Sequence, residues 1–150
     1  MSMLECFFSV RYRDRRDLFN NLYISDYAEY MKIQGTYPVI FVSFAAVKQT
    51  NCLDAIRQIK VIISDVYSQF PELYTSDKLT DGQRKLLASV SRNMDDVTAQ
   101  NALNDLSSLL TSHYGKKVIV LLDEYDTPLQ EAYILSLIHI SEPTRLRCIS

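Results

Sequence analysis

The sequence predicts an α/β protein in which helices flank a parallel sheet. Two short runs, residues 39–44 and 118–123, are mainly apolar, rich in β-branched side chains and of strand length. Between them lie several segments with apolar residues at helical spacing. A connection of this length lets the two strands lie side by side in parallel, so we expect them to be neighbours in the sheet.

The region before the first strand is predicted to form helices and turns. Residues 3–10 carry large apolar side chains at spacings that suit a buried helical face. The arginine-rich stretch 11–16 is nearly balanced by nearby aspartates, so it is interpreted as a solvated helix end or turn rather than a phosphate or nucleic-acid patch. Ser25 and Asp26 can cap a helix over residues 27–34.

Three helices are expected between the two strands. The first runs from about residue 53 to residue 70, and a polar connection separates it from the second, over residues 81–92. The third begins at Asp95 or Asp96 and ends at Gly115, which leads directly into the second strand. The apolar stripe of the first helix is Ile56, Ile59, Ile62, Ile63, Val66, Tyr67 and Phe70, and that of the third is Val97, Leu103, Leu106, Leu109 and Leu110.

Composition is that of an ordinary globular chain. The formal net charge of −2 gives no electrostatic reason to expect nucleic acid or a membrane as the main partner. No apolar run approaches the ~20 residues of a membrane-spanning helix. Cys6, Cys52 and Cys148 are scattered without metal-ligand spacing, which favours reduced thiols and a cytoplasmic location. His113 and His139 are likewise isolated, which argues against a zinc site.

The most informative stretch is the second strand and the carboxylates that follow it. The apolar residues 118–122 predict a strand buried on both faces, and they lead into Asp123 and Glu124. The carboxyl ends of parallel strands form the rim where open α/β sheets bind ligands. An apolar strand that delivers Asp-Glu to this rim is the Walker B pattern of P-loop NTPases. In that pattern Asp123 helps to hold Mg²⁺ on the nucleotide phosphates, and Glu124 activates the attacking water.

Other interpretations of the same carboxylates stay open. A core strand followed by a solvated acidic turn would leave the same sequence pattern. Asp126 is a weaker site candidate, since it could equally cap the helix that begins after Pro128. A nuclease centre made of Asp123, Glu124 and Asp126 is disfavoured, because no Glu-x-Lys or Asp-x-Lys follows on a nearby strand.

The run 114–133, with Asp-Glu-Tyr-Asp-Thr-Pro at residues 123–128, resembles bacterial AAA-ATPase-like proteins, as do residues 38–44 and the helical insert. The resemblance covers roughly residues 1–133. It implies a P-loop NTPase sheet and, in the intact parent, ATP hydrolysis with ATP and Mg²⁺ as cofactors. It assigns Asp123 as the metal-side carboxylate and Glu124 as the catalytic base.

The resemblance also bears on partners. Family members commonly carry a PD-(D/E)XK nuclease-like domain at the C-terminus, so nucleic acid would enter only through a domain absent from this chain. Nucleotide is the partner expected of the parent, and a homo-oligomer is allowed.

The chain departs from the family in lacking a Walker A loop. The pattern G-x-x-x-x-G-K-[ST] does not occur, and the only Gly-Lys pair, Gly115-Lys116, has Leu110 where the first glycine should be. That pair is interpreted as a helix stop. In the family the loop lies just upstream of a segment like residues 2–8, so we expect Met1 to be an internal position of a truncated sequence. Cofactor-binding residues for the phosphates are therefore not assigned.

We expect the residues from 135 onward to have no counterpart in the family. Residues 135–145 can be back-translated codon by codon into a transposon-end adapter used in preparing sequencing libraries. We accordingly expect two parts: residues 1–134, a partial AAA-ATPase-like domain, and residues 135–150, an adapter-derived tail. The alternative is a genuine amphipathic tail.

The functional prediction is a fragment of an AAA-ATPase-like domain that carries Walker B only and is inactive by itself. Without a Walker A strand, residues 118–122 are expected to keep an uncovered edge that favours association with other chains or a loosely packed state. The alternatives are a non-catalytic protein-interaction module and a nuclease-associated regulatory domain.

Overall fold

The computed structural model describes residues 2–47 and 52–124. Within these ranges the chain forms two strands and five α-helices, joined by turns and 3₁₀ helices. The strands are β1 (Val39–Ser43) and β2 (Ile119–Asp123). The α-helices are α1 (Met3–Phe8), α2 (Ala28–Met31), α3 (Cys52–Tyr67), α4 (Asp81–Ser89) and α5 (Asp96–Tyr114), and the 3₁₀ helices are Val10–Tyr12, Arg16–Phe19, Tyr23–Asp26 and Pro71–Leu73.

The two strands pair in parallel and are neighbours, as predicted. Their register runs from Val39 opposite Ile119 to Ser43 opposite Asp123. The helices α3, α4 and α5 lie between them in the chain, so the connection is a helical crossover of the kind that parallel pairing requires. The predicted α/β class, with a parallel sheet flanked by helices, is confirmed and is consistent with part of a P-loop-like fold.

The main core lies between one face of the sheet and helices α3, α4 and α5. Ile40 and Val42 of β1 are fully buried in it, because alternate strand residues point to the same face. Tyr67 joins α3 to α5 by donating its hydroxyl to the carbonyl of Ala102 at 2.7 Å. Burial, as the largest cause, raises the pKa of this phenol above its usual range. Helical members of this core include Ile63, Val66, Phe70, Leu87, Leu106, Leu109 and Leu110.

A smaller cluster lies under the N-terminal helix. Cys6, Phe7 and Phe19 are buried there, and the rings of Phe7 and Phe19 meet edge to face with centroids 5.2 Å apart. The predicted helix is confirmed, but its apolar residues are not all buried, since Met3 and Leu4 are exposed. The buried residues of α1 are Glu5, Cys6 and Phe7.

Helix α5 begins and ends where the sequence predicts. The Asp95 carboxylate accepts the backbone N–H of Thr98 at 2.8 Å, and this bond lowers the pKa of the carboxyl group. At the other end Gly115 adopts φ +67°, and its N–H donates to the carbonyl of Thr111 at 2.8 Å. Val97 was expected on the buried stripe but is 68% exposed, so that assignment is wrong. It lies in the first turn, before the helix meets the core.

The connection before α4 is less polar than predicted. Leu73 and Leu79 are buried and belong to the main core. Helix α4 then begins with a capping box, in which the Thr80 hydroxyl accepts the N–H of Gln83 while the Gln83 side chain accepts the N–H of Thr80. The two buried leucines therefore anchor this segment to the main core, although the polar residues around them suggest a solvated connection.

The helix predicted over residues 27–34 is reduced to the single turn of α2. The expected cap is wrong, since Ser25 donates its hydroxyl to the carbonyl of Leu22 at 2.6 Å instead. The chain turns early because Gln34 is buried and its side-chain amide donates to the carbonyl of Tyr12 at 3.0 Å.

The arginine-rich stretch forms the solvated turns that the sequence predicts. Arg11, Arg13, Arg15 and Arg16 are all exposed, and they lie in or beside two 3₁₀ helices. Arg15 pairs with Asp17 at 3.1 Å on the surface. The hydrogen bond from the Arg15 guanidinium lowers the pKa of Asp17.

Strand β2 is not buried on both faces, contrary to the prediction. Val120 and Leu122 are 45% and 49% exposed. The helices that cover the sheet lie over β1, and within the described ranges β2 has a strand on one side only. Among the described residues, no helix is both long and apolar enough to cross a membrane.

Candidate functional site

The carboxyl ends of the two strands meet at one rim of the sheet. Asp123 ends β2 and lies opposite Ser43, which ends β1. The N–H of Phe44 donates to the backbone carbonyl of Asp123 at 3.0 Å, so the strands remain paired up to the point where the carboxylate projects. This is the position at which open parallel sheets present ligand-binding side chains.

Asp123 and Glu124 are exposed, so their carboxylates face solvent at this rim. Neither carboxylate has a hydrogen-bond or ion-pair partner among the described residues. Their charges are therefore not neutralised by the part of the protein that the structure describes. Asp126, the third candidate, lies outside the described residues.

The backbone changes direction at Glu124, which adopts a positive φ of 50°. A residue with a β-carbon pays a steric cost in this left-handed region, and such residues cluster at turns and functional sites. The turn takes the chain out of the strand directly after Asp123. Consequently Asp123 has an extended backbone and Glu124 a left-handed one. The two side chains therefore do not follow the simple alternation of an extended strand.

Ser43 is a rim residue that the sequence analysis missed. Its hydroxyl accepts the N–H of Ala45 at 3.4 Å and lies at the same edge of the sheet as Asp123. The signal was present, because Ser43 ends the first apolar run just as Asp123 ends the second. Recognising it required the register, which aligns these two strand ends and no other pair.

A cleft of about 350 Å³ lies beside β2 and includes Asp123 at the rim. The described residues that line it are Ser2, just before α1, Leu4 in α1, Phe41 in β1, and Val120, Leu121, Leu122 and Asp123 in β2. Most of the lining is apolar side chain and strand backbone. The single charged group is Asp123, at one end.

The oxygen donors at the rim fit a Mg²⁺ ion only as part of a shared coordination shell. Mg²⁺ sites commonly use one or two carboxylates, with waters and substrate phosphates completing the octahedron. Asp123 can supply one such carboxylate. Within the described ranges no group of three or more His, Cys, Asp or Glu side chains comes together to hold a metal by itself.

The described residues include no glycine-rich phosphate cradle. Gly115, which precedes Lys116, ends α5 in the left-handed conformation and leads into β2. The Lys116 ammonium donates to the carbonyl of Thr36 at 3.2 Å, near the start of β1 and away from the rim. The interpretation of Gly115-Lys116 as a helix stop is confirmed.

Comparison with protein families gives a match to a family described as Predicted AAA-ATPase, over residues 1–142. The matched region is most of the chain and contains both strands and the rim. The chain belongs to this family. Comparisons with curated proteins and with solved structures gave no significant match.

Membership in the AAA-ATPase-like family links the chain to nucleotide chemistry in general. It agrees with the resemblance carried by residues 123–128.

A second cleft, of about 460 Å³, lies on another side of this AAA-ATPase-like chain. Its polar groups are mostly bonded to one another or to neighbouring elements. The Tyr114 hydroxyl donates to Glu72 at 2.7 Å, and His113 Nδ1 lies 2.8 Å from the Ser76 hydroxyl. Burial first, and then the bond to Glu72, raise the pKa of Tyr114 above its usual range. These contacts tie α5 to the connection before α4, which is a structural role.

Cys6 is the only cysteine whose side chain the structure describes, and it does not form a candidate site. Its thiol is buried and free. Burial, with a smaller contribution from Glu5, raises its pKa, which disfavours the nucleophilic thiolate.

Proposed function

We propose that this chain provides the Walker B half of an ATPase site, with Asp123 as the metal-side carboxylate and Glu124 as the catalytic base. The observation that carries the proposal is the position of Asp123. It ends a strand that pairs in parallel with β1, at the shared rim, and no described residue pairs with its carboxylate. The family match supports the same assignment.

The two carboxylates would have different tasks. Asp123 would share in holding Mg²⁺, and the ion when bound neutralises charge on the phosphates. Glu124 follows the strand on a turn and would accept a proton from the attacking water, for which a carboxylate within hydrogen-bond reach suffices. Ser43 lies opposite Asp123 and would hold the carboxylate or a bound water in place. Its role is positioning.

The chain as it stands is proposed to be a poor ATPase. Backbone amides and a lysine around the phosphates supply most of the binding in P-loop proteins, and the sequence contains no G-x-x-x-x-G-K-[ST]. Isothermal titration with ATP and Mg²⁺ is expected to show millimolar binding or no measurable heat. A dissociation constant in the micromolar range would contradict this expectation and require another phosphate site.

The assignment of Asp123 can be tested without turnover. Mn²⁺ substitutes for Mg²⁺ and broadens nearby NMR signals. Titration of the full chain with Mn²⁺ and ATP is expected to broaden the amide signals of Ser43, Asp123 and Glu124 before most others. Asp123→Asn should remove this selective broadening, because it removes the anionic ligand.

Asp77→Asn is the matched control for that experiment. Asp77 is an exposed aspartate in the connection before α4, away from the rim. Its substitution changes the net charge equally and should leave the broadening at the rim unchanged. Equal loss in both variants, or broadening centred elsewhere, would refute the assignment of Asp123.

A further inference from the structure

We propose that three tyrosines between α1 and β1 form a docking surface for an arginine-containing segment of another protein. The surface consists of Tyr23, Tyr27 and Tyr30, here called the tyrosine ladder, together with the carboxylate of Asp26. The proposal uses no residue of the sheet or of the rim, and it does not depend on nucleotide binding.

The tyrosine ladder is a continuous run of exposed rings. The ring centroids of Tyr23 and Tyr27 lie 5.0 Å apart, and those of Tyr27 and Tyr30 lie 5.7 Å apart. Tyr23 is 77% exposed and Tyr30 is 54% exposed, so much of each ring faces solvent. A single exposed aromatic side chain is ordinary, but a contiguous group is typical of an interaction site, where tyrosine is enriched.

The chain beneath the tyrosine ladder holds it in place. The 3₁₀ helix that begins at Tyr23 and helix α2 carry Ile24 and Met31, which pack against the buried cluster under α1. The hydroxyls of Tyr23 and Tyr27 are also hydrogen-bonded to each other. The rings are therefore ordered before a partner arrives, which lowers the entropic cost of binding.

The unpaired carboxylates beside the tyrosine ladder give it a negative charge. Asp26 lies three residues after Tyr23 in a 3₁₀ helix, so the two side chains project from the same side of that helix. Glu29 directly precedes Tyr30, and neither carboxylate has a hydrogen-bond or ion-pair partner among the described residues. Lys32 follows α2 two residues after Tyr30, a spacing that does not place it beside that ring.

The arginines of the preceding stretch already have partners. Arg15 pairs with Asp17 at 3.1 Å, and Arg16 donates to the side chain of Gln34 at 3.3 Å. Single-stranded nucleic acid is therefore disfavoured as the occupant, because its bases stack on aromatic rings but its phosphates require cations nearby. A second copy of the chain is also disfavoured, because a two-fold contact would bring the same carboxylates together.

An arginine side chain matches both features of the surface. A guanidinium stacks on the face of a tyrosine ring and forms charge-assisted hydrogen bonds to a carboxylate. Within the described ranges the cation–π contacts lie on the rings of Phe70 and Tyr37, so no described cation covers the tyrosine ladder. The surface therefore offers aromatic faces and an acidic acceptor together, which is the chemistry that recognises arginine.

Fluorescence anisotropy with the full chain tests the proposal. The probe is a short fluorescein-labelled peptide in which arginine alternates with glycine, and a matching peptide carries glutamate in place of arginine. The arginine peptide is expected to bind, and the glutamate peptide is not. Combining Tyr23→Ala with Tyr30→Ala should raise the dissociation constant about tenfold, because each ring contributes a cation–π contact.

Matched variants separate the tyrosine ladder from general charge attraction. Tyr74 is 56% exposed in the connection before α4, so Tyr74→Ala removes an equally exposed ring and should leave the affinity unchanged. None of these tyrosine variants alters the net charge. Asp26→Asn should weaken binding about threefold, whereas Asp77→Asn makes the same charge change away from the ladder and should not. Circular dichroism checks that each variant remains folded.

Three binding results would overturn the proposal: an arginine peptide that binds no better than the glutamate peptide, a double tyrosine variant with the affinity of Tyr74→Ala, or a labelled single-stranded oligonucleotide that binds more tightly than the arginine peptide. A dimer in sedimentation velocity that dissociates in the double variant would also overturn it, by assigning the ladder to a second copy. These readouts use no ATP or metal, so failure of the proposed ATPase site leaves them unchanged.

Discussion

Replacing Leu106 with alanine is expected to lower the free energy of unfolding by about 2–5 kcal/mol. Leu106 is fully buried in the middle of α5, within the core that supports the sheet. Removing its branched end deletes apolar contacts and leaves a cavity that close-packed neighbours fill only in part. Chemical denaturation followed by circular dichroism measures the change.

Leu86→Ala is the control for this prediction. Leu86 is 44% exposed on α4, so the same truncation removes less buried surface and creates no enclosed cavity. The expected loss is within about 1 kcal/mol. If the two variants lost equal stability, or if Leu106→Ala lost less than the control, the assignment of α5 as the central core helix would be wrong.

Replacing Gly35 with alanine is expected to cost about 3 kcal/mol, through strain and overlap together. Gly35 adopts φ +66°, which disfavours any residue with a β-carbon. A β-carbon there would lie 2.5 Å from the Cα of Arg13, a backbone atom that cannot move aside cheaply. The N–H of Gly35 also donates to the carbonyl of Phe7 at 2.8 Å, so the local packing resists a shift.

Gly115→Ala separates the two causes. Gly115 has nearly the same φ, +67°, but a β-carbon there would meet no atom within 4 Å. Its substitution is expected to cost about 1 kcal/mol, from the left-handed conformation alone. The difference between the two variants in denaturant titrations therefore measures the overlap at Gly35. Equal losses would mean that the contact with Arg13 relaxes freely.

Much of the fold could be predicted because local chemistry specified it. The run around Val118 and the run around Ile40 have the length and β-branching of strands, and both form them. Asp95 and Gly115 bound α5 because a carboxylate satisfies free amides and a glycine tolerates positive φ. Strand patterns and helix caps depend on residues that are close in the chain, so the sequence alone determines them. The Asp-Glu pair at the end of β2 could be recognised for the same reason.

Other features depend on elements that are distant in the chain. Leu73 and Leu79 lie in a connection that looks polar, yet they are buried because the main core reaches it. The helix expected over residues 27–34 stops after one turn because Gln34 finds a partner in Tyr12. No local pattern indicates either outcome, since each depends on which segments meet.

At the candidate site, the sequence by itself determined the carboxylates and the strand that carries them. Only the tertiary structure decided that Ser43 lies opposite Asp123, because this follows from the parallel register. It also decided that Val120 is exposed, although an apolar run of that length predicts burial on both faces. The physical reason is that the burial of a strand depends on the elements that pack around it as well as on its own residues. Helices cover β1, and within the described residues β2 has a partner along one edge only.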